Sequence, residues 1–125
     1  MTRPVLAPTA EHPISILPTE GRVTVRVGGH VVADTTAALT LRESTYSPVQ
    51  YIPRADLDEA VLEASDHTTY CPYKGDATYL SVAVPGGARE DDVIWTYEDP
   101  FEAVAQIGGH VAFYANRAEV TVEEA

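Results

Sequence analysis

The sequence predicts a single, mainly β domain with two short helices. Apolar and polar residues alternate in several short segments, which is the pattern of strands that bury one face. Glycine and proline residues separate these segments and predict tight turns between them. The chain has 125 residues. Because one domain usually takes about 100 to 150 residues, we expect one domain with one hydrophobic core.

The first twenty residues predict an extended arm. They show no apolar period, and they include four prolines: Pro4, Pro8, Pro13 and Pro18. Proline fixes φ and lacks the N–H group that donates in a sheet ladder. We therefore assign residues 1–20 to a proline-rich arm, residues 21–122 to the β domain and residues 123–125 to an acidic tail.

A β-hairpin opens the predicted domain. Three valines alternate with polar residues from Arg22 to Val27, and the chain returns from His30 to Asp34. Gly28 and Gly29 lie between the two segments, and glycine accepts the positive φ that a two-residue hairpin turn needs. The pattern predicts two antiparallel strands joined by a tight turn.

The third strand is predicted over residues 38–43 and places a carboxylate on its apolar face. Leu39 and Leu41 share one face of this segment, and the alternation puts Glu43 on the same side. A carboxylate that points toward the core needs a partner. Arg54 is the natural partner, and we expect it to pair with Glu43.

Two short helices are predicted after this strand. The first runs from about Leu57 to Ala64, since Asp56 and Glu59 have the spacing of a capping box and apolar residues recur at helical spacing. The second begins near Pro100 and ends after about two turns at a pair of glycines. The remaining strands are predicted over residues 68–70, 77–84, 92–97, 111–114 and 119–122.

Charge and composition exclude several function classes. The chain has 19 acidic and 8 basic residues and a net charge of -11, so it repels polyanions and we expect no nucleic-acid partner. No stretch approaches the ~18 apolar residues of a membrane span, and the first residues lack the apolar run of a secretory signal, so we expect no membrane partner. A single cysteine fits a reducing compartment. We therefore expect a cytoplasmic protein.

The segment from Thr68 to Gly75 is the first candidate for chemistry. It contains Cys71, the single lysine Lys74 and two tyrosines. If Pro72 is the second residue of a β-turn, the Cα atoms of Cys71 and Lys74 lie within ~7 Å. A nearby cation favours the thiolate that a nucleophilic cysteine needs, so Cys71 and Lys74 are candidate catalytic residues. The alternative is a structural cysteine buried in a tight turn.

A ligand pocket is the second candidate. The pocket would have a polar floor formed by Glu43, Arg54 and Lys74. Tyrosines concentrated between positions 46 and 79 would form aromatic walls, as in many ligand sites. The alternative is a structural ion pair at a sheet edge, with the tyrosines covering the core. The predicted ligand-binding residues are Glu43, Tyr51, Arg54, Tyr70, Tyr73 and Lys74.

Metal and cofactor sites have little support in the sequence. None of the four histidines forms a close ligand pair with another histidine or with the cysteine on one helix face. Asp56 and Asp58 form an Asp-x-Asp pattern, but Asp56 is explained as a helix cap. No glycine-rich phosphate loop and no Gly-x-Ser-x-Gly elbow occur in the chain. We therefore expect no metal and no cofactor.

Two blocks of the sequence are distinctive in combination. Residues 51–56 read Tyr-Ile-Pro-Arg-Ala-Asp, and residues 71–75 read Cys-Pro-Tyr-Lys-Gly. Together they resemble the domain of unknown function 427 family, over about residues 21–122. The resemblance implies a compact, mostly antiparallel, rolled or barrel-like sheet with small helices and no established reaction. The family also carries a nucleotidyltransferase-like label, which would place Arg54 and Lys74 on nucleotide phosphates beside a metal on Asp56 and Asp58.

The expected function is a small-ligand or peptide-binding module. This expectation depends on the concentration of polar and aromatic residues in two constrained segments. The alternative is an enzyme, either nucleotidyltransferase-like or using Cys71 as a nucleophile. A third interpretation is an interaction domain that offers a β-edge to a protein partner. The sequence leaves the formation of a homo-oligomer open.

Overall fold

A computed structural model describes residues 3–124, which form two antiparallel β-sheets and three 3₁₀ turns. The prediction of a mainly β fold is confirmed. No helix in this part of the chain is long and apolar enough to cross a membrane. The strands are β1 (Ile14–Pro18), β2 (Arg22–Val27), β3 (His30–Thr35), β4 (Leu39–Glu43), β5 (Val49–Pro53), β6 (Leu62–Cys71), β7 (Gly75–Ala83), β8 (Arg89–Thr96), β9 (His110–Phe113) and β10 (Glu119–Glu123).

The larger sheet has seven strands in the order β1-β4-β5-β9-β8-β7-β6, and the smaller sheet has three in the order β10-β2-β3. All neighbouring strands in both sheets are antiparallel. Strands β1 and β6 are the outer strands of the larger sheet, and within residues 3–124 they do not pair with each other. The larger sheet is therefore not a closed barrel.

The predicted hairpin forms as β2 and β3. Its two strands pair from Val23 opposite Thr35 to Val27 opposite His30, with a bulge near Arg26. Gly28 and Gly29 occupy the turn with φ of 56° and 83°. Both values lie in the left-handed region that glycine adopts without a steric cost, so this local prediction is confirmed.

The predicted helix over residues 57–64 is wrong. The chain makes a 3₁₀ turn at Glu59–Val61 and enters β6 at Leu62. The cap differs as well, because Asp58 accepts a hydrogen bond from the Ala60 amide, whereas Asp56 accepts one from the Thr35 hydroxyl. A helix of this length is marginal by itself, and pairing with β7 satisfies the backbone groups of Leu62 and the residues after it.

The second predicted helix is also a 3₁₀ turn, at Glu102–Ile107. No side chain caps its start, and Val104 interrupts it with φ of -126° and ψ of 26°. In a 3₁₀ turn, residues three apart lie on the same side. Val104 and Ile107 are both 0% exposed, so this turn anchors two apolar side chains in the core.

Regular structure begins earlier than predicted, because Ile14–Pro18 forms the edge strand β1. It pairs with β4 from Ile14 opposite Glu43 to Pro18 opposite Leu39. An edge strand needs hydrogen bonds on one side only, so a proline at its end is tolerated. The segment therefore covers β4 beside Glu43.

Two hydrophobic clusters lie on opposite faces of the larger sheet. The first joins both sheets and includes Val25 of β2 and Ile52 of β5. The second lies on the other face and includes Tyr51. Successive strand residues point to opposite faces, which explains why Tyr51 and Ile52 belong to different clusters. The second cluster is rich in tyrosine and contains the candidate site.

Candidate functional site

An aromatic cavity of about 250 Å³ lies on the tyrosine-rich face of the larger sheet. Six strands or the turns that follow them contribute to its walls, and six of its side chains are aromatic. The aromatic cavity is lined by Leu41, Glu43, Tyr46, Ser47, Val49, Tyr51, Lys74, Tyr79, Trp95, Tyr97 and Tyr114.

The only two charged side chains of this lining form an ion pair. Lys74 Nζ donates a hydrogen bond to Glu43 Oε1, and the two side chains are only 9% and 14% exposed. Glu43 Oε2 accepts a second hydrogen bond, of 2.7 Å, from His12 Nε2. A charge that is removed from water needs such partners, because an unpaired buried charge is very costly.

The charged state of Glu43 is stabilised by these contacts. Burial raises its pKa, but the hydrogen bonds from Lys74 and His12 outweigh burial and lower the pKa below its ordinary value. The side chain is therefore a carboxylate at neutral pH. It reaches the cavity because Glu43 and Leu41 lie two residues apart in β4, on one face of the strand.

The position of Lys74 is set by the turn between β6 and β7. The Lys74 amide donates to the Cys71 carbonyl at 3.2 Å, and the Phe101 amide donates to the Lys74 carbonyl at 3.0 Å. Gly75 ends the turn with φ of 110°, a conformation that residues with a side chain rarely adopt. The turn thus holds the lysine side chain over the end of β4.

Cys71 lies close to Lys74 but outside the aromatic cavity. Lys74 Nζ is 3.9 Å from Cys71 Sγ, so the turn brings the ammonium and the sulfur into contact, as the spacing predicted. Cys71 is half-buried and packs against the tyrosine-rich cluster. It is not among the residues that line the cavity.

The aromatic residues of the cavity are held by hydrogen bonds among themselves. Trp95 Nε1 donates to the Tyr51 hydroxyl at 3.2 Å. The Tyr79 hydroxyl is 2.9 Å from the Thr69 hydroxyl and 3.4 Å from the Tyr114 hydroxyl. Such contacts fix the direction in which each polar edge points.

Tyr51, Tyr97 and Tyr114 carry no charge at neutral pH. Burial raises the pKa of Tyr51 and of Tyr97. Burial, followed by the hydrogen bond with Tyr79, raises the pKa of Tyr114 to about 12. These three phenols are therefore neutral, and the ion pair of Lys74 and Glu43 is the charged feature of the cavity.

Arg54 does not pair with Glu43, contrary to the sequence-based expectation. It makes two hydrogen bonds to Glu59, of 2.7 and 3.0 Å, and does not line the cavity. The reason is local, because 3₁₀ turns at residues 54–56 and 59–61 bring these two side chains together. The partner of Glu43 is Lys74.

Tyr70 and Tyr73 also lie outside the aromatic cavity. The Tyr70 hydroxyl donates to the Pro4 carbonyl at 2.6 Å, and the Arg3 guanidinium lies 4.1 Å from the centre of its ring. The Tyr73 ring stacks on His12, with ring centroids 4.2 Å apart. Both tyrosines therefore hold the N-terminal segment against the turn. Of the predicted ligand-binding residues, the cavity brings together Glu43, Tyr51 and Lys74.

Several cavity residues were missed by the sequence analysis. Trp95 of β8 and Tyr97, the residue after this strand, are two residues apart and both line the cavity, so their alternation could have predicted that they share a face. Tyr114 follows β9 and meets Tyr79 of β7 only through the order of strands in the sheet. No local sequence pattern predicts that contact.

The two aspartates of the Asp-x-Asp pattern are occupied by protein contacts. Asp56 accepts a hydrogen bond from the Thr35 hydroxyl at 2.7 Å, and Asp58 pairs with His30 at 2.8 Å. Within residues 3–124, no group of three or more histidine, cysteine, aspartate or glutamate side chains is arranged to hold a metal ion. Arg54 and Lys74 pair with different glutamates and do not share the cavity.

Comparison with known families places the chain. No curated protein matches its sequence. A family model described as a domain of unknown function, DUF427, matches residues 15–124. The match begins in β1, runs to the residue after β10 and includes every residue that lines the aromatic cavity. Since the match covers far more than half of the sequence, the chain belongs to the DUF427 family.

Proposed function

We propose that this protein binds a small, uncharged organic molecule in the aromatic cavity, with Lys74 as the main hydrogen-bond donor. The observation that carries the proposal is the position of Lys74. This residue lines the cavity, yet its side chain is only 9% exposed. An ammonium has three N–H donors, and the side chains it contacts among the described residues are Glu43 and, at 3.9 Å, Cys71. One donor is left for a ligand.

The charge balance favours an uncharged ligand with an acceptor group. Glu43 already neutralises Lys74 and lines the same cavity. An anionic group placed on Nζ would face this carboxylate, and like charges that close to each other repel. A carbonyl or hydroxyl oxygen accepts the free N–H without that repulsion.

Size favours a small molecule over a peptide. The cavity measures about 250 Å³, which is slightly below the roughly 300 to 1,000 Å³ of typical ligand pockets. A peptide needs a longer groove or a free strand edge. The aromatic walls provide apolar contact area for the body of the ligand, and the hydroxyls of the tyrosines provide further polar contacts.

Fluorescence of Trp95 gives a direct test. This is the single tryptophan of the chain, and it lines the cavity. We expect short uncharged carbonyl compounds, such as ketones and amides, to change its emission in a saturable way. Replacement of the pair by Lys74→Met with Glu43→Gln removes the donor and leaves no unpaired charge, so this variant should lose at least tenfold in affinity.

A matched variant controls for the loss of an ion pair. Arg54→Met with Glu59→Gln removes a cation and its carboxylate outside the cavity, so it should bind as the unchanged protein does. Equal affinity in all three proteins, with circular dichroism showing intact folds, would rule out Lys74 as the ligand donor.

Thiol chemistry at Cys71 is the second candidate function, supported by the contact of 3.9 Å between its sulfur and Lys74 Nζ. A nearby ammonium favours attack by the thiolate. If this function is correct, iodoacetamide at neutral pH should alkylate Cys71 several times faster than it alkylates the same residue in the Lys74→Met, Glu43→Gln variant. Intact mass spectrometry measures both rates, and equal rates would leave Cys71 with a structural role.

A further inference from the structure

A second cavity, of about 360 Å³, lies beside the aromatic cavity. We call it the apolar cavity. It shares four wall residues with the aromatic cavity: Ser47, Val49, Trp95 and Tyr114. The residues that line only the apolar cavity are Pro48, Gln50, Ile52, Phe113, Ala115, Val120 and Val122.

The two cavities meet where strands β5 and β9 separate. Their ladder has only two residue pairs, Ile52 opposite Val111 and Pro53 opposite His110. Continued in the same antiparallel register, Val49 would lie opposite Tyr114, but the described chain has no such pair. The Tyr114 amide donates to the Val93 carbonyl of β8 at 3.0 Å, so the chain stays attached to β8 beyond its last pair with β5. The larger sheet is therefore open between β5 and β9, at a position where Val49 and Tyr114 line both cavities.

The apolar cavity differs chemically from its neighbour. None of its side chains is charged, and Ile52 and Phe113 belong to the cluster between the two sheets. Val120 packs against the same cluster, and Val122 at the mouth is 43% exposed. A ligand group placed here gains from the removal of apolar surface from water, but finds no ionic partner.

From this arrangement we infer that the ligand is amphipathic, with an uncharged polar head at Lys74 and an apolar tail that passes between β5 and β9 into the apolar cavity. The inference depends on the proposed binding function of the aromatic cavity. The aromatic cavity is below the usual range of ligand volumes of roughly 300 to 1,000 Å³ at about 250 Å³. The two cavities joined at their common wall fall well within that range.

A homologous series of methyl ketones, from 2-butanone to 2-decanone, tests the tail. Trp95 lines both cavities, so its emission reports binding whichever cavity the tail occupies. Each buried methylene should tighten binding by about three- to fourfold, until the apolar cavity is full and the affinity reaches a plateau. The carbonyl oxygen supplies the acceptor for Lys74 in every member of the series.

Two matched variants locate the tail. Val122→Phe fills the mouth of the apolar cavity from β10, and Val31→Phe makes the same change on β3, the other edge strand of the smaller sheet. Both valines are partly exposed, at 43% and 39%, so both variants should fold. Val122→Phe should weaken the long ketones at least fivefold and leave 2-butanone unchanged, whereas Val31→Phe should change neither.

The outcomes separate the two proposals. If affinity for ketones depends on Lys74 but not on chain length, or if both phenylalanine variants behave alike, the tail inference is wrong and the binding function stands. If no ketone binds in a manner that depends on Lys74, the proposed function itself is overturned, and the tail inference is overturned with it.

Discussion

The Lys74 and Glu43 side chains lie almost entirely out of water, and each depends on the other for that position. Their hydrogen bond, together with the bond from His12, offsets the cost of removing two charges from solvent. The arrangement is more specific than a surface ion pair, because Lys74 lines the cavity and its ammonium also contacts Cys71. Six other described ion pairs of the chain have both side chains more than 35% exposed and contribute little by comparison.

Removal of one partner should therefore cost more than removal of both. We expect Lys74→Met alone to lower the free energy of unfolding by about 2 to 4 kcal/mol, since it leaves Glu43 buried without its cation. The combined Lys74→Met, Glu43→Gln variant should recover at least about 1 kcal/mol of this loss. Urea unfolding measures both values. A combined variant less stable than Lys74→Met alone would show that the loss of stability in Lys74→Met does not come from a buried Glu43 carboxylate without its cation.

The pH dependence of stability should carry the signature of Glu43. Its pKa is lower in the folded chain than its ordinary value of 4.5. Its ionisation therefore stabilises the fold fully above that pH, and the contribution is lost as the pH falls through the folded pKa. The difference in unfolding free energy between the unchanged protein and Glu43→Gln should be constant from pH 7 to about 5.5 and should shrink below about 4.5.

An exposed carboxylate provides the control for this pH effect. Glu59 is 60% exposed in its pair with Arg54, so Glu59→Gln should change stability by less than about 1 kcal/mol at any pH. Urea unfolding at several pH values compares the two variants. An equal pH dependence in both would mean that burial of Glu43 has no influence on its titration.

At the scale of the elements, local patterns predicted some structures and missed others for identifiable reasons. The hairpin at Gly28 was predictable because its strands and its turn are contiguous in sequence. The helix predicted from Leu57 failed because Leu62 pairs with Val82, a contact made by a segment twenty residues away. The same reason explains why only part of the candidate site could be predicted from the sequence. The alternation of β4 directed Glu43 inward, but its true partner Lys74 lies in the turn between β6 and β7, which are not neighbours of β4 in the sheet.

The turn from Cys71 to Gly75 is the element on which the position of Lys74 depends. Gly75 has φ of 110°, and a Cβ added there would be no closer than 3.6 Å to its neighbours. The cost of Gly75→Ala is thus conformational strain and not a clash, and we expect a loss of about 1 to 3 kcal/mol. Because the turn would shift to relieve the strain, the affinity for ketones should also fall.

Gly86→Ala is the matched control for that substitution. Gly86 also has a positive φ, of 68°, and open space around it, but it lies in the turn before β8 and does not line the cavity. It should lose about 1 kcal/mol of stability and keep its affinity for ketones. If Gly75→Ala binds as well as Gly86→Ala does, the turn does not control the lysine.

At the scale of the whole molecule, the two faces of the larger sheet have different roles: one stabilises the fold, and the other carries the proposed binding site. Its face toward the smaller sheet carries the main apolar cluster, in which Val82 and Ile94 are 0% exposed. Its opposite face carries the aromatic cavity. The alternation of side chains along each strand assigns neighbouring residues to different tasks, so that Ile94 packs between the sheets whereas Trp95 lines the cavity. The two cavities share wall residues beside the point where the ladder between β5 and β9 ends.

This separation predicts that two substitutions have opposite effects on stability and on ketone affinity. Ile94→Ala leaves a void between the sheets and should cost about 2 to 4 kcal/mol of stability, yet ketone affinity should stay within twofold because Ile94 lines neither cavity. Tyr79→Phe removes the hydroxyl that contacts Thr69 and Tyr114 and should cost only about 1 kcal/mol, but it should weaken ketone binding several-fold because it releases the wall of the cavity. Urea unfolding and titration of Trp95 emission measure both quantities in each variant. If the less stable Ile94→Ala protein also binds more weakly than Tyr79→Phe, the two faces of the sheet are coupled, and the cavity is a by-product of core packing.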